Sequence, residues 1–307
     1  MWEYDPTETD FGTTESLMLL PYWTNNCIGS MEGLLFESSA TTAYHFLNQS
    51  ELSVNPSDPM VGLPYGPSGY PDVVLGLRHL QLLGVRYFFC FSPTIVRAAR
   101  ASGLVTEVAR TGPWHYEGNT RTWYLFEVHD APLARGLAYL PNVITSIGSR
   151  TAWQAASVHW WLDPHDLDVE LAQSGPPSWP RRTSPLARTV VALPNVVVTD
   201  ASESVSTIRF HVSRLGVPVE VDVSYYPRWH ASGALGPYRV SPNLMVVVPT
   251  SHEVVLTYGA TTATTVGDLL TLGGLAACLA VLAARLRRKT LPRRRSEPSR
   301  SAFHPIS

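Results

Sequence analysis

Between Val266 and Ala284 the chain runs for nineteen residues with Asp268 as its only charged side chain, and Arg285, Arg287, Arg288, Lys289, Arg293, Arg294 and Arg295 follow at once. A bilayer core of about 30 Å takes roughly 20 helical residues, and segments rich in Arg and Lys stay on the cytoplasmic side. The pattern predicts one transmembrane helix over 262–285 and a basic cytoplasmic tail over 286–307, with everything upstream outside the cytoplasm. No basic n-region, apolar h-region or small-residue cleavage site opens the sequence. The chain is therefore expected to be the C-terminal end of a longer membrane protein.

Charge is divided in the same way. Eight of the 23 basic residues and only one acid, Glu297, follow Ala284, which leaves 15 basic against 24 acidic residues upstream. An acidic ectodomain lacks the basic face that nucleic acid requires, so nucleic acid is not an expected partner; a short basic tail beside a span is explained by topology and anionic lipid. Of three cysteines, Cys278 falls inside the span, and whether Cys27 and Cys90 pair is left open. No CxxC, HExxH or His-rich cluster occurs, and neither a metal nor a cofactor is expected.

The upstream region reads as α+β: a mixed α/β part over 1–175, a Pro-rich linker over 176–188, and an antiparallel β-sandwich over 189–261. Short helices are expected at 15–20 and 41–48 within a turn-rich coil. A helical stripe of Val73, Val74, Leu77, Leu80, Leu82 and Leu83 ends at Gly84, and the unbroken apolar run 85–91 predicts a central strand covered on both faces. Ser92-Pro93 opens a second helix, followed by strands at 104–110 and 122–129 and by helices at 151–162 and 167–173. Beyond the linker the period becomes two. Ile208, Phe210 and Val212 alternate with polar residues, and so do Val217, Val219, Val221, Val223 and Tyr225 with Pro218, Glu220, Asp222 and Ser224. With runs at 244–248 and 253–258, this predicts short strands with one buried face.

The segment Val223–Thr250, VSYYPRWHASGALGPYRVSPNLMVVVPT, resembles the last extracytoplasmic stretch of large bacterial multi-spanning proteins of the YfhO-like and 6-pyruvoyl-tetrahydropterin-synthase-related membrane group, particularly actinobacterial members. Residues 15–23, 27–47 and 82–87 also resemble this group, so the likeness spans about 12–285. It implies a place in the bacterial plasma membrane and kinship with C-type membrane glycosyltransferases, which take sugar from a polyprenyl-phosphate donor. Their essential acids lie in an early loop between N-terminal membrane helices, and this sequence has no such helices. The resemblance thus implies acceptor or glycolipid binding by this portion, with upstream helices of the same or another chain as partners. The alternative is a non-catalytic anchored ectodomain that serves as an interaction or assembly module.

No catalytic residue is assigned. Glu32, Glu37 and His45, with Met31 and Tyr44, offer two carboxylates and an imidazole for sugar hydroxyls, or simply cap turns. Trp160 and Trp161, with Trp153 and Tyr139, suggest a platform for stacking on a sugar face, or core packing along one helical stripe. Around His159, Asp163, His165, Asp166 and Asp168, helix capping competes with a cation site. Arg228, Trp229 and Arg239, with Tyr225, Tyr226 and Tyr238, surround a 233–236 turn, where guanidinium matches a lipid phosphate or aromatic pairs merely define a hairpin. No Gly-x-Ser-x-Gly elbow supports a hydrolase.

Overall fold

The computed structural model describes residues 1–6, 14–31, 40–56, 71–165 and 167–290. Residues 1–258 form one compact unit, and the chain from Gly259 onward forms another. Within the first, a 3-10 turn at Thr14–Leu19 runs into α1 (Leu20–Trp23), and α2 (Thr42–Glu51) lies where the second short helix is expected. Next come α3 (Val73–Leu82), β1 (Tyr87–Cys90), α4 (Pro93–Ala101) and a long hairpin of β2 (Val105–Tyr116) and β3 (Asn119–Val128). The Asp72 side chain caps α3 by accepting from the Leu75 amide, and Gly84 stops it at a φ of 64°, the left-handed conformation that glycine adopts without strain. Val73, Gly76, Leu77 and Leu80, at helical spacing, form its buried face.

Val73, Leu77 and Leu80 pack with Ile95, Val96 and Ala99 of α4 against Phe88, Cys90, Val105, Phe126 and Val128 of a three-stranded antiparallel sheet ordered β1-β3-β2. The run 85–91 is not a central strand. β1 is hydrogen-bonded to β3 on one side, while the N-terminal segment lies along its other edge through the Trp2–Phe89 bridge. Its burial alternates, with Phe88 and Cys90 inward, and Phe89 on the opposite face stacks on Trp123 at 4.8 Å. Aromatic stacking covers that face in place of helices, which explains an apolar run without alternation. Ser92 precedes α4 as expected but makes no side-chain cap bond; instead Glu3 accepts from the Phe91 and Ser92 amides at 2.8 and 2.9 Å.

The chain continues through β4 (Ala134–Gly136), β5 (Asn142–Ile144), α5 (Arg150–Leu162), β6 (Leu171–Ala172), β7 (Arg181–Arg182), β8 (Val198–Ser204), β9 (Thr207–Val212), β10 (Val219–Val221), β11 (Trp229–Ser232), β12 (Ala234–Val240), β13 (Leu244–Pro249) and β14 (Glu253–Tyr258). The helix expected at 167–173 is absent, for Leu171 and Ala172 pair with β5 and β12. Seven strands form one sheet, β4-β10-β13-β12-β6-β5-β7, and four form another, β11-β14-β9-β8. One core cluster joins Val219, Val221, Met245 and Val247 of the first to Ile208, Phe210, Val254 and Leu256 of the second. The segment 176–188 is packed into this unit instead of linking two bodies: β7 pairs with β5, and Trp179 is buried against Val143, Val240 and Val246.

The expected hairpin around 233–236 also differs. β11 pairs with β14, whereas β12 pairs with β13, so the chain changes sheets at Gly233. A Cβ there would come within 2.3 Å of the Glu253 carbonyl oxygen, and φ is 76°; only glycine fits this crossing. After Tyr258, α6 (Thr262–Thr290) includes a stretch, Thr262–Leu286, long and apolar enough to cross a membrane, and none of it is buried in the protein.

Candidate functional site

Three polar or aromatic groups stand out, and the first was not expected from sequence. Arg135 of β4 faces Glu220 of β10 in register. Its guanidinium bonds Glu220 at 2.5 Å and Asp222 at 3.1 Å, and it donates to the Gln81 and Leu82 carbonyls at the end of α3. Both carboxylates have fully buried side chains, while Arg135 keeps about a quarter of its side-chain surface in solvent. Glu170 is close enough to feel Glu220 and Arg135 electrostatically, and it accepts from Ser241 Oγ at 2.6 Å. Among the described residues, Glu220 Oε1 and Asp222 Oδ1 are buried without a hydrogen bond.

Burial raises the pKa of Glu170 well above the carboxylate range, and the Glu220 charge adds to the rise. Burial also raises Asp222 well above its usual value, against the pull of Arg135. Glu220, the carboxylate closest to the guanidinium, is raised by burial with Arg135 opposing. Burial by itself would lower Arg135, but the carboxylates more than reverse that. Three acids sharing one cation in low dielectric retain protons that exposed carboxylates release. Their alternation in sequence marks Glu220 and Asp222 as solvent-facing. The face they occupy is instead covered by the end of α3 and Gly84, whose Cβ, if present, would meet Asp222 at 2.8 Å.

The second group lies among helices. Glu51 of α2 bonds His79 Nδ1 of α3 at 2.7 Å, accepts from Asn48 Nδ2 at 3.0 Å, and accepts the indole N–H of Trp161 of α5 at 3.1 Å. Trp161 stacks on the His79 ring at 3.7 Å with an interplanar angle of 18°. The side chains of His79 and Glu51 have no solvent exposure. Trp160 is buried as well, donating to the Val169 carbonyl at 3.0 Å. The expected sugar platform of Trp160 and Trp161 is thus core: both indoles spend their N–H groups on interior acceptors. His45 is likewise buried within α2, its ring 5.7 Å from that of Trp2. Glu32 and Glu37 lie outside the described residues.

The third group is partly exposed at the end of the four-stranded sheet: Trp229 packs against the core between the sheets, and Tyr226 is the member most open to solvent. Trp229 and Tyr258 are directly opposite across β11 and β14, with their rings edge to face at 5.2 Å. The Arg228 guanidinium lies over the Tyr258 ring at 4.9 Å, and half-exposed Tyr226 tilts against the same ring at 5.9 Å. Arg239 does not join them. It donates from Nε to Asn243 Oδ1 at 2.7 Å and covers the Trp153 ring at 5.0 Å, and burial lowers its pKa. The expected cluster of Arg228, Trp229 and Arg239 therefore splits because the chain changes sheets between β11 and β12.

Neither Cys27, which is exposed, nor Cys90, which is buried, is in a disulfide. Among the described residues, no group of three or more His, Cys, Asp and Glu side chains has an arrangement that would hold a metal ion. No protein-family model, curated protein or solved structure matches this chain.

Proposed function

We propose that this chain is a membrane-anchored, extracytoplasmic binding module of a bacterial glycosyltransferase-like envelope protein, which holds an acceptor or glycolipid headgroup beside the bilayer and leaves bond making to other membrane segments. The observation that carries this reading is the partly exposed group of Tyr226, Arg228, Trp229 and Tyr258, gathered where β14 ends at Tyr258, just before α6 begins at Thr262. Flat rings with an adjacent guanidinium match the two parts of such a headgroup, a sugar face and a phosphate. His45, Trp160 and Trp161 are buried in the interior, which takes those three out of the proposed binding surface and leaves it to the group at the sheet end.

Two measurements test it. A reporter active only outside the cytoplasm works when fused before Thr262, and one active only inside works after Lys289; the reverse pattern refutes the topology. In detergent, polyprenyl-phosphate-sugar binding to the full chain falls on Arg228→Ala and Tyr226→Ala with unchanged thermal unfolding, since the Tyr226 ring is half exposed. Undiminished binding in both variants removes this site from the function.

A second reading, an assembly module, draws on the β2–β3 hairpin. Trp114 and Tyr116 stand two residues apart on β2 and are exposed by 55% and 46%, which places two rings on one face of a projecting ribbon. Exposed aromatic pairs of this kind serve as anchors in protein interfaces.

A further inference from the structure

The two-residue turn between β8 and β9 places Val205 at its tip, where it is 95% exposed. Hairpin loops of this length favour Gly, Asn or Asp, and a β-branched apolar side chain in open solvent contributes nothing to the fold. The turn lies at a definite end of the four-stranded sheet. Tyr258 donates its backbone N–H to the Ser206 carbonyl at 2.8 Å, Thr257 pairs with Thr207, and Trp229 pairs with Tyr258. Val205, Tyr226, Arg228, Trp229 and Tyr258 therefore share the end of the sheet at which the chain leaves β14. Residues 259–261 alone separate that strand from α6, and four residue steps span at most about 14 Å.

Resting on the proposed role of α6 as the anchor, we infer that this end of the sheet is immersed in the interfacial layer of the bilayer, with Val205 and the Tyr226 ring among the lipid headgroups and upper acyl chains. Tyr and Trp favour that layer because one part of each ring system is apolar and another is wet. The local charge is mixed, with Arg228 at this end and exposed Glu203 two residues from the Val205 tip. Partitioning of apolar and aromatic surface thus carries the contact, and anionic lipid is not required. The opposite end of β14 offers a contrast: the turn before it presents exposed Ser251 and His252 next to Glu253.

The test uses the full chain with Cys27→Ser and Cys278→Ser, reconstituted in phosphatidylcholine vesicles. An environment-sensitive fluorophore is attached through Val205→Cys or, as the comparison, Ser251→Cys. Buried Cys90 stays unlabelled. The expected result is blue-shifted emission from position 205 that is quenched in proportion to brominated lipid, with neither change at position 251. Equal quenching at both positions, or none at 205, overturns the inference. A blue shift at 205 without lipid quenching also overturns it, because a protein surface such as a second copy then covers the turn. Alkaline carbonate extraction separates this outcome from failure of the anchor: a chain released from the membrane refutes the anchoring itself, whereas a retained chain with a water-exposed 205 refutes only the immersion.

Discussion

Replacing Arg135 by methionine keeps much of the side-chain volume and removes, among the described residues, the cation that Glu170, Glu220 and Asp222 share. Breaking a buried pair by removing one partner costs about 3–5 kcal/mol, because the other charge is left uncompensated. Arg135 is 26% exposed and so was partly hydrated from the start, which places the expected loss toward the lower end, about 3 kcal/mol. Two carbonyls, those of Gln81 and Leu82, also lose a donor. The loss depends on pH. Glu170 and Asp222 have folded pKa values raised above their unfolded ones, so between the ordinary carboxylate range and those raised values the folded state binds more protons than the unfolded state. Their contribution to stability is full below the ordinary range and fades as pH rises through the elevated values. Arg135→Met pushes the carboxylates further in this direction, so its penalty is larger at pH 8 than at pH 4.5. Urea unfolding of the full chain in detergent, followed by tryptophan fluorescence at both pH values, measures it. Adding Glu220→Gln to Arg135→Met removes a stranded charge and recovers part of the loss. A penalty below about 1 kcal/mol, the scale of an exposed ion pair, or one that does not change with pH, refutes the reasoning.

Glu51→Ala leaves the Trp161 indole N–H and His79 Nδ1 without their interior partner. It lowers unfolding free energy by more than the roughly 1 kcal/mol net value of a single hydrogen bond, and a loss within scatter of the parent sinks the idea that this carboxylate ties α2, α3 and α5 together. Gly233→Ala meets both a positive φ and a 2.3 Å contact, so it is expected to cost more than about 1 kcal/mol, whereas Gly148→Ala, with open space around its Cβ, stays within about 0.5 kcal/mol; equal midpoints for the two in thermal melts contradict the crossing. In the folded chain Cys27 is expected to react with a maleimide, while Cys90, whose thiol burial pushes up in pKa, becomes labelled only on unfolding. Mass spectrometry shows the order, and prompt labelling of Cys90 refutes its burial.

What was legible in the sequence followed from local periodicity. The α3 stripe, the α5 helix, the β9 alternation and the 253–258 strand each have their pattern written in consecutive residues, and the apolar run to Ala284 coincides with α6. The failures share a different cause. Alternation in 217–225 identifies an inward and an outward face, but nothing in those residues says that the outward one is covered by the end of α3, so Glu220 and Asp222 pass for solvated. The run 85–91 has no alternation because Trp123, more than thirty residues away, stacks on its second face. Tryptophan is equally mute: Trp161 and Trp229 are the same residue type in aromatic-rich segments, yet one is sealed against His79 and Glu51 while the other lies at a sheet end. Only partners distant in the chain decide between a binding platform and a core.

The seven-stranded sheet has a temporal side as well. Its strands β4, β5, β6 and β7 are all synthesised before β10, β12 and β13, yet β4 touches the sheet only through β10, and β6 bridges to the later strands through β12. β4 therefore waits with an unpaired edge until β10 has emerged, and β6 until β12 has, while β5, β6 and β7 can pair among themselves; α6 follows from Thr262. Pairings so distant in sequence form late and expose aggregation-prone edges meanwhile. A stop placed anywhere in 176–188 would release a fragment with no partner for β4. A stop just after Tyr258 would release every strand, which makes that position the natural place to cut if the unit is to be obtained without its apolar helix.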